Sequence, residues 1–202
     1  MATIRSYIFV DQLQPKTMCY LGTFARGFLP RRRMAAIVLE VAPGLAIEGL
    51  TDVALKTVDV KPGILVVERQ YGYLEFHSYS AADVKAAGDA VLAHLEASQA
   101  DAMKPKILAS SIVKRVDDYH AFLINRNKSG SMILPGESLF VLEMEPASYA
   151  IIAANEAEKA ADIKIVDYRM MGATGRVYLS GSESDIRAAA QAAENALAAR
   201  LN

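Results

Sequence analysis

The sequence predicts an α+β fold made of two similar domains in tandem, each a mostly antiparallel sheet with helices on one face. An internal repeat supports two domains: residues 37–43 (IVLEVAP) return as residues 140–146 (FVLEMEP), an offset of 103. SAADV at 80–84 returns as SESDI at 182–186, an offset of 102. A repeat of this length in 202 residues predicts two small domains. We place them at 1–103 and 104–202, with KPK at 104–106 as the boundary.

The order of periodicities within each copy supports the α+β class. In the first copy a short β-branched run at 36–41 predicts a buried strand, and apolar spacing from 45 to 57 predicts a helix. Residues 64–67 and 73–76 predict a strand pair around a loop. Ser80 and Asp83 form a capping pattern that predicts the start of a second helix, because the serine oxygen accepts an unpaired backbone N–H.

The second copy repeats this order at the corresponding positions. The predicted strands are 140–144, 165–168 and 176–179, and the predicted helices are 150–161 and 182–201. Each copy is preceded by a further strand-like segment and then an apolar stretch, at 6–10 with 18–24 and at 107–113 with 120–124. The predicted architecture is one sheet per domain with helices against it.

Composition excludes several function classes. A net charge of −1 gives no reason to expect a nucleic-acid partner, and the arginine run at 31–33 is typical of a solvated loop. The single cysteine, Cys19, excludes an internal disulfide. The N-terminal residues lack a signal-peptide pattern, and no uncharged apolar run is long enough for a membrane span. We therefore expect a soluble, cytoplasmic protein without a membrane partner.

The residues give little support to an enzyme. His77, His94 and His120 have no metal-ligand spacing, and Cys19 has no evident catalytic partner. The segment GATG at 172–175 lacks the lysine and the spacing of a phosphate-binding loop. We predict no catalytic residues, no metal and no cofactor.

Six blocks distributed along the chain carry a resemblance to a known family. They are LEVAPG at 39–44, DVALK at 52–56, VVER at 66–69, NRNKSGSM at 125–132, EMEP at 143–146 and NEAEK at 155–159. Together they resemble the tandem-domain shell proteins of bacterial microcompartments, in the branch with circularly permuted, ferredoxin-like domains. Permutation is indicated because the segment at 5–10 follows the second helix in unpermuted relatives and comes first here.

The resemblance implies an assembly. Three copies would form a homotrimer whose six domains imitate a hexagonal tile, because a duplicated chain readily supplies the two matching surfaces that a closed ring needs. Such tiles form the microcompartment shell in the bacterial cytoplasm, in carboxysomes and catabolic compartments alike. The implied partners are other shell proteins and small metabolites that cross a central pore. Stacking of two trimers, known in this branch, is left open.

The resemblance also implies pore residues, in the loop between the paired strands of each copy. They are Glu68, Arg69, Gln70, Tyr71 and Gly72 in the first copy, and Gly172, Ala173 and Thr174 in the second. Glu68 and Arg69 would form charged rings that select and gate, and the glycines would let the backbone bend tightly and approach the axis. The copies differ most where Glu68-Arg69 stands against Met170-Met171.

Several residues keep a second interpretation. Lys56 and Lys159 match the family's tile-edge lysine, but each is also explained as a solvated cation near a helix C-terminus. Glu68 and Arg69 are also explained as a surface ion pair, and residues 125–131 as a simple turn. For the whole chain, the alternative function is a duplicated soluble protein that binds or senses a small molecule.

Overall fold

The computed structural model describes residues 2–200 and divides them into two compact units between Lys104 and Pro105. The elements of the first unit are β1 (Thr3–Val10), α1 (Pro15–Phe24), β2 (Ala35–Ala42), α2 (Ile47–Thr57), β3 (Lys61–Glu68), β4 (Tyr71–Ser78) and α3 (Ala81–His94). Those of the second are β5 (Lys106–Val113), α4 (Asp118–Asn127), β6 (Ser138–Glu145), α5 (Ala150–Ala160), β7 (Lys164–Arg169), β8 (Gly175–Gly181) and α6 (Glu183–Ala198). Short 3₁₀ turns at Gly44–Ala46 and Ala147–Tyr149 lead into α2 and α5.

Each unit contains one four-stranded antiparallel sheet. The strand order is β1-β2-β4-β3 in the first unit and β5-β6-β8-β7 in the second. In both sheets the long hairpin, β3-β4 or β7-β8, is formed by consecutive strands, and its turn is the loop that the resemblance singles out. The predicted α+β class and antiparallel sheets are confirmed.

The core of the first unit lies between the sheet and its two longer helices. Ile37 and Leu39 of β2 pack with Val84 and Val91 of α3 and Leu50 of α2. These strand residues alternate with others on the opposite face, as the two-residue period of a strand requires. The two longer helices of the unit therefore cover one face of the sheet, as predicted.

In the second unit a shorter helix, α4, covers the other face of the sheet, so the expectation that helices lie on one face only is wrong. In the second unit Leu139 and Val166 of the sheet pack with Ala121 of α4, and Leu139 alternates with Phe140, which faces the other way. Residues 125–127 form the last turn of α4, so the predicted turn at 125–131 is wrong over its first three residues. The side-chain amide of Asn125 bonds to both backbone groups of Ile133, which satisfies it inside the helix.

The predicted helix starts are confirmed. Ser80 accepts a hydrogen bond from the backbone N–H of Asp83, and Ser182 accepts one from Asp185. The predicted end of the last helix at 201 lies outside the described residues. Among residues 2–200, the structure has no helix that is long and apolar enough to cross a membrane.

Candidate pore hairpins

The first hairpin loop, residues 68–72, projects polar side chains into solvent. Glu68 ends β3 and pairs with Tyr71, which begins β4, so that Arg69 and Gln70 form a two-residue turn. Arg69 takes a left-handed φ of 54°, a conformation that such turns require. Its Nε lies 3.8 Å from Oε1 of Glu68, with the two side chains 89% and 49% exposed. An ion pair this long and this exposed contributes little to stability, so both side chains are free to change rotamer.

Tyr71 is held in place from behind the turn. The guanidinium of Arg5 lies 3.9 Å from the centroid of the Tyr71 ring. Arg5 also donates from Nε to Oε1 of Glu40 at 2.7 Å, and the Glu40 side chain is fully buried. Gln70 Nε2 donates to the Tyr71 hydroxyl at 3.0 Å. The loop therefore combines a weak, exposed ion pair with an aromatic ring whose position is set by its contacts with Arg5 and Gln70.

Gly72 is needed for packing within its own unit. It is buried in β4, and a Cβ at this position would overlap the carbonyl oxygen of Gly44 and lie 2.7 Å from Cβ of Ile47. Gly175 has the same role in the second unit, where a Cβ would overlap the carbonyl oxygen of Ala147. The expectation that Gly72 bends the loop is wrong, because Arg69 supplies the left-handed residue and Gly72 is in the strand.

The second hairpin loop, residues 170–174, is tied to its sheet. Met170 is buried, and Gly172 has a φ of 116°, which favours glycine. Thr174 donates from Oγ1 to Oε1 of Glu143 at 2.7 Å, and Arg176 donates from Nε to the same oxygen at 3.1 Å. Hydrogen bonds from Thr174 and Arg176 lower the pKa of the Glu143 carboxyl below its ordinary value.

The equivalent residues of the two hairpin loops are 103 positions apart throughout. The predicted equivalence of Glu68-Arg69 with Met170-Met171 is therefore wrong by one residue. Val67 pairs with Gly72 across the first hairpin. Met170 has the equivalent position beside Gly175, because Tyr168 and Arg169 pair with Val177 and Arg176. Glu68 and Arg69 therefore correspond to Met171 and Gly172, not to Met170 and Met171. The two left-handed residues, Arg69 and Gly172, then coincide.

Both proposed edge lysines lie in the last turn of equivalent helices. Lys56 lies one residue before the end of α2, with its ammonium 2.6 Å from Asp52 and its side chain 75% exposed. Lys159 lies near the end of α5, with its ammonium 2.7 Å from Glu156 and its side chain 36% exposed. Each lysine is accessible and already engaged in an ion pair within its own helix.

The histidines and the cysteine do not come together. His94 is in the last turn of α3, His120 is exposed on α4, and Cys19 is exposed on α1. His77 is buried, and its Nδ1 lies 2.8 Å from Oε1 of the buried Glu75. Burial raises the pKa of the Glu75 carboxyl, and the contact with His77 opposes that shift. No group of three or more potential metal ligands occurs among residues 2–200.

Sequence reasoning missed the two carboxylates behind the loops. Glu40 and Glu143 are equivalent residues in the middle of apolar strands, and each holds its loop through a different partner. A carboxylate in a strand that is otherwise buried requires a cation or donors nearby. That requirement was a usable signal, and Arg5 on the predicted neighbouring strand was the available cation.

Two families of known proteins match this chain. Residues 4–101 match the family described as the CsoS1D N-terminal domain, and residues 138–202 match the BMC domain. The carboxysome shell protein CcmP of Synechococcus elongatus is 45% identical over 96% of this chain and 91% of its own length. The carboxysome shell protein CsoS1D of Hydrogenovibrio crunogenus is 46% identical over 98% of this chain and 97% of its own.

Two solved structures have the same fold over nearly the whole chain. The fused permuted hexameric shell protein MSM0275 of the RMM microcompartment superposes with a TM-score of 0.97 at 65% identity, covering 99% of this chain and 98% of its own. The double-ringed trimeric shell protein MSM0271 of the same compartment superposes at 0.95 with 44% identity, covering 98% and 97%.

The fold, the duplication and the matched families are those of a microcompartment shell component and not of an enzyme. The chain belongs to the bacterial microcompartment shell proteins with two fused, circularly permuted domains, the group that contains the CsoS1D and CcmP shell proteins. The alternative of an unrelated duplicated binding protein is thereby set aside.

Proposed function

We propose that three copies of this chain close into a ring of six domains and form one tile of a microcompartment shell. The observation that carries the proposal is the likeness, over nearly the full length of each chain, to shell proteins described as hexameric and as double-ringed trimeric. We assign the domains to residues 1–103 and 104–202, one residue from the division between the two compact units. Each domain then contributes one sheet and one hairpin loop to the ring. Other shell proteins of the compartment adjoin the tile, and stacking of two rings is open to this chain as well.

The hairpin loops line a central pore in this proposal. The first loop supplies Glu68, Arg69, Gln70 and Tyr71 from three domains, and the second supplies Gly172, Ala173 and Thr174 from the other three. In the ring, three loops with charged side chains alternate with three loops that have small side chains and are hydrogen-bonded to their own sheet. Small metabolites that cross the shell would pass these residues, and charged rings select by attraction and by desolvation.

Glu68 and Arg69 act as the gate. Their contact of 3.8 Å is weak, and the side chains of Arg69 and Glu68 are 89% and 49% exposed, so that rotamer changes need little energy. Arg5 keeps the Tyr71 ring in place while the gate residues move. In the second loop the hydrogen bond from Thr174 to Glu143 keeps the backbone fixed.

Lys56 and Lys159 contact the next tile in this proposal. Both are exposed at equivalent helix ends, which gives a six-sided tile one lysine on each side. Replacing both by alanine is expected to prevent two-dimensional sheets in electron microscopy while the ring persists. Dispersal of the ring into single chains would contradict an edge role.

The position of the first loop is tested by crosslinking. Cys19 is exposed, so the experiment uses a C19S background, into which Q70C or D59C is introduced. Residues 59 and 70 lie just beyond opposite ends of β3, whose eight residues span about 25 Å at roughly 3.3 Å per residue. A short bismaleimide should join Q70C chains within one ring and leave D59C chains unjoined at low concentration. Crosslinking of D59C alone would contradict a central position for the loop.

The gate is tested separately from the ring. The double substitution E68A/R69A should change the passage of charged metabolites through assembled shells while light scattering still reports the trimer of 21.9 kDa chains. D59A/K61A removes a comparable exposed pair, 2.7 Å apart, at the far end of β3 and serves as the matched control. If E68A/R69A loses the trimer, these residues support an interface and do not gate.

A further inference from the structure

The outer face of one helix differs in exposure between the two units. Leu45, in the 3₁₀ turn before α2, is 73% exposed, and Glu48 and Asp52 of α2 are exposed as well. Residues 45, 48 and 52 are three and four positions apart, so they form one stripe of the helix, here called the α2 surface. The equivalent residues of the second unit, at the offset of 103, are fully buried; they are Ser148, Ile151 and Asn155.

The edge strands differ in the opposite sense. In β5 every residue from 106 to 111 is exposed, and Leu108 is 41% exposed. Residues 107–111 are here called the β5 surface. The equivalent stretch of β1, residues 4–8, is largely buried; its buried members are Ile4, Ser6, Tyr7 and Ile8. An exposed edge strand with apolar side chains is a usual site of packing with another chain.

The chain thus exposes one copy of each surface and buries the other copy. The α2 surface is exposed on the first unit, and the β5 surface is exposed on the second unit. In a head-to-tail contact the two partners use different patches, so each chain has to expose one patch of each kind. Within residues 2–200 the two surfaces meet this requirement, because they belong to different elements and each is exposed on one unit.

The two surfaces match in position and length. The α2 surface begins beside the first hairpin loop, because the carbonyl oxygen of Gly44 lies against Gly72. The β5 surface begins beside the second loop, because Ile107 pairs with Met144, which pairs with Gly175. The α2 surface then extends about 10 Å along the helix at roughly 1.5 Å per residue. Three steps along β5 cover about the same length at roughly 3.3 Å per residue.

Their chemistry is complementary as well. Leu45 is the large apolar residue of the α2 surface, and Leu108 is its counterpart on the β5 surface. Glu48 has no ion-pair or hydrogen-bond partner in the part of the chain that the structure describes. The β5 surface contains no carboxylate, and Lys106 adjoins it with a side chain that is 71% exposed and 3.6 Å from Glu145. A lysine at this position attracts an acidic partner surface.

We propose that the α2 surface of one chain packs against the β5 surface of the next chain, with Leu45 against Leu108 near the axis and Asp52 near Ser111 further out. Three such contacts close the ring. The small side chains of Ala109 and Ser111 let the helix of the neighbouring chain approach the strand closely. The inference rests on the proposed ring and adds the surfaces that hold it together.

Crosslinking tests the contact directly. In the C19S background, a chain that carries both E48C and A109C is treated with a short bismaleimide, and the products are separated on a denaturing gel. The pair should be linked between chains and give products of two and three chains and none larger. E48C alone and A109C alone are the matched controls and should leave single chains, because copies of one residue are separated around the ring. No linkage between chains, or products larger than three chains, would overturn the assignment.

A charge placed on either surface should open the ring. L45D and L108D each put a carboxylate where the contact would bury it without a partner, and each should raise the concentration at which the ring dissociates by about tenfold or more. L29D places the same charge on a residue that is 65% exposed outside both surfaces, and it should leave the ring unchanged. Light scattering measures the oligomer mass, and circular dichroism checks that each variant is folded.

The outcomes separate the assigned surfaces from the ring itself. Unchanged rings in both L45D and L108D would refute the surfaces and leave the proposed ring intact. An unaltered protein that stays a single chain at every concentration would refute the ring and the surfaces together.

Discussion

Replacement of Arg5 by methionine removes the cation that lies behind the first hairpin loop. The Arg5 side chain is 16% exposed and that of Glu40 is fully buried, so the substitution leaves a buried carboxylate without its 2.7 Å ion-pair partner. Breaking a buried ion pair costs about 3–5 kcal/mol, and the lost cation–π contact with Tyr71 adds about 0.5–1 kcal/mol. Because Arg5 keeps some contact with water, we expect the lower part of this range, about 3 kcal/mol. For a chain of this size that corresponds to a fall in Tm of roughly 6–12 °C.

Differential scanning calorimetry of R5M beside K56M measures this difference. Lys56 forms an equally short but exposed pair with Asp52, whose loss should cost less than about 0.5 kcal/mol. The double variant R5M/E40M removes both charges and should recover part of the stability, because no uncompensated carboxylate is left in the interior. If R5M lowers Tm no more than K56M does, the buried Glu40 does not depend on its ion pair with Arg5, and Arg5 does not stabilise the residues behind the first hairpin loop.

Three further predictions concern the same framework. G72A should destabilise the protein by about 1–3 kcal/mol, because the added Cβ would overlap Gly44. G49A in α2 should stabilise it by about 0.5–1 kcal/mol, because the added Cβ has no neighbouring atom within 4 Å and alanine favours a helix. Urea denaturation of both variants measures the two changes. The raised pKa of Glu75 implies that its protonated form favours the fold, so the stability of the protein relative to E75Q should be greatest below the ordinary glutamate value and fall as pH rises through the raised pKa. Glu143 has the opposite sign: its lowered pKa implies a stability advantage over E143Q above the ordinary value that is lost as pH falls through the lowered pKa. Urea denaturation of the unchanged protein, E75Q and E143Q from about pH 3 to about pH 8 measures how each stability difference changes with pH. A change of the same sign for both variants would contradict the assigned environments of Glu75 and Glu143.

Local signals and the repeat were sufficient to predict most of the fold. The apolar runs, the capping serines Ser80 and Ser182 and the offset of 103 residues located the strands and helices, because these features act within a few residues of the chain. Residues 125–127 were predicted as turn and are helical, because a tertiary contact between Asn125 and Ile133 satisfies a residue that otherwise favours turns. Local propensity contains no information about such a contact.

The candidate site was predictable only in part. The positions of the loops followed from the strand pair and from the resemblance, but their alignment was one residue off until the hairpin registers related Arg69 to Gly172. The groups behind the loops depend on pairing between strands that are distant in sequence, such as Arg5 with Glu40 and Glu143 with Arg176. Spacing along a single chain does not reveal these pairs, because antiparallel register decides which residues meet across a sheet.

A structure of the assembled protein by cryo-electron microscopy tests the central claim most directly. We predict a ring of three chains, with six domains around one axis and with Glu68, Arg69 and Thr174 facing the opening. The first loops of three chains would alternate there with the second loops. A single unassembled chain, or a ring in which residues 68–72 and 170–174 lie on the outer rim, would contradict the account.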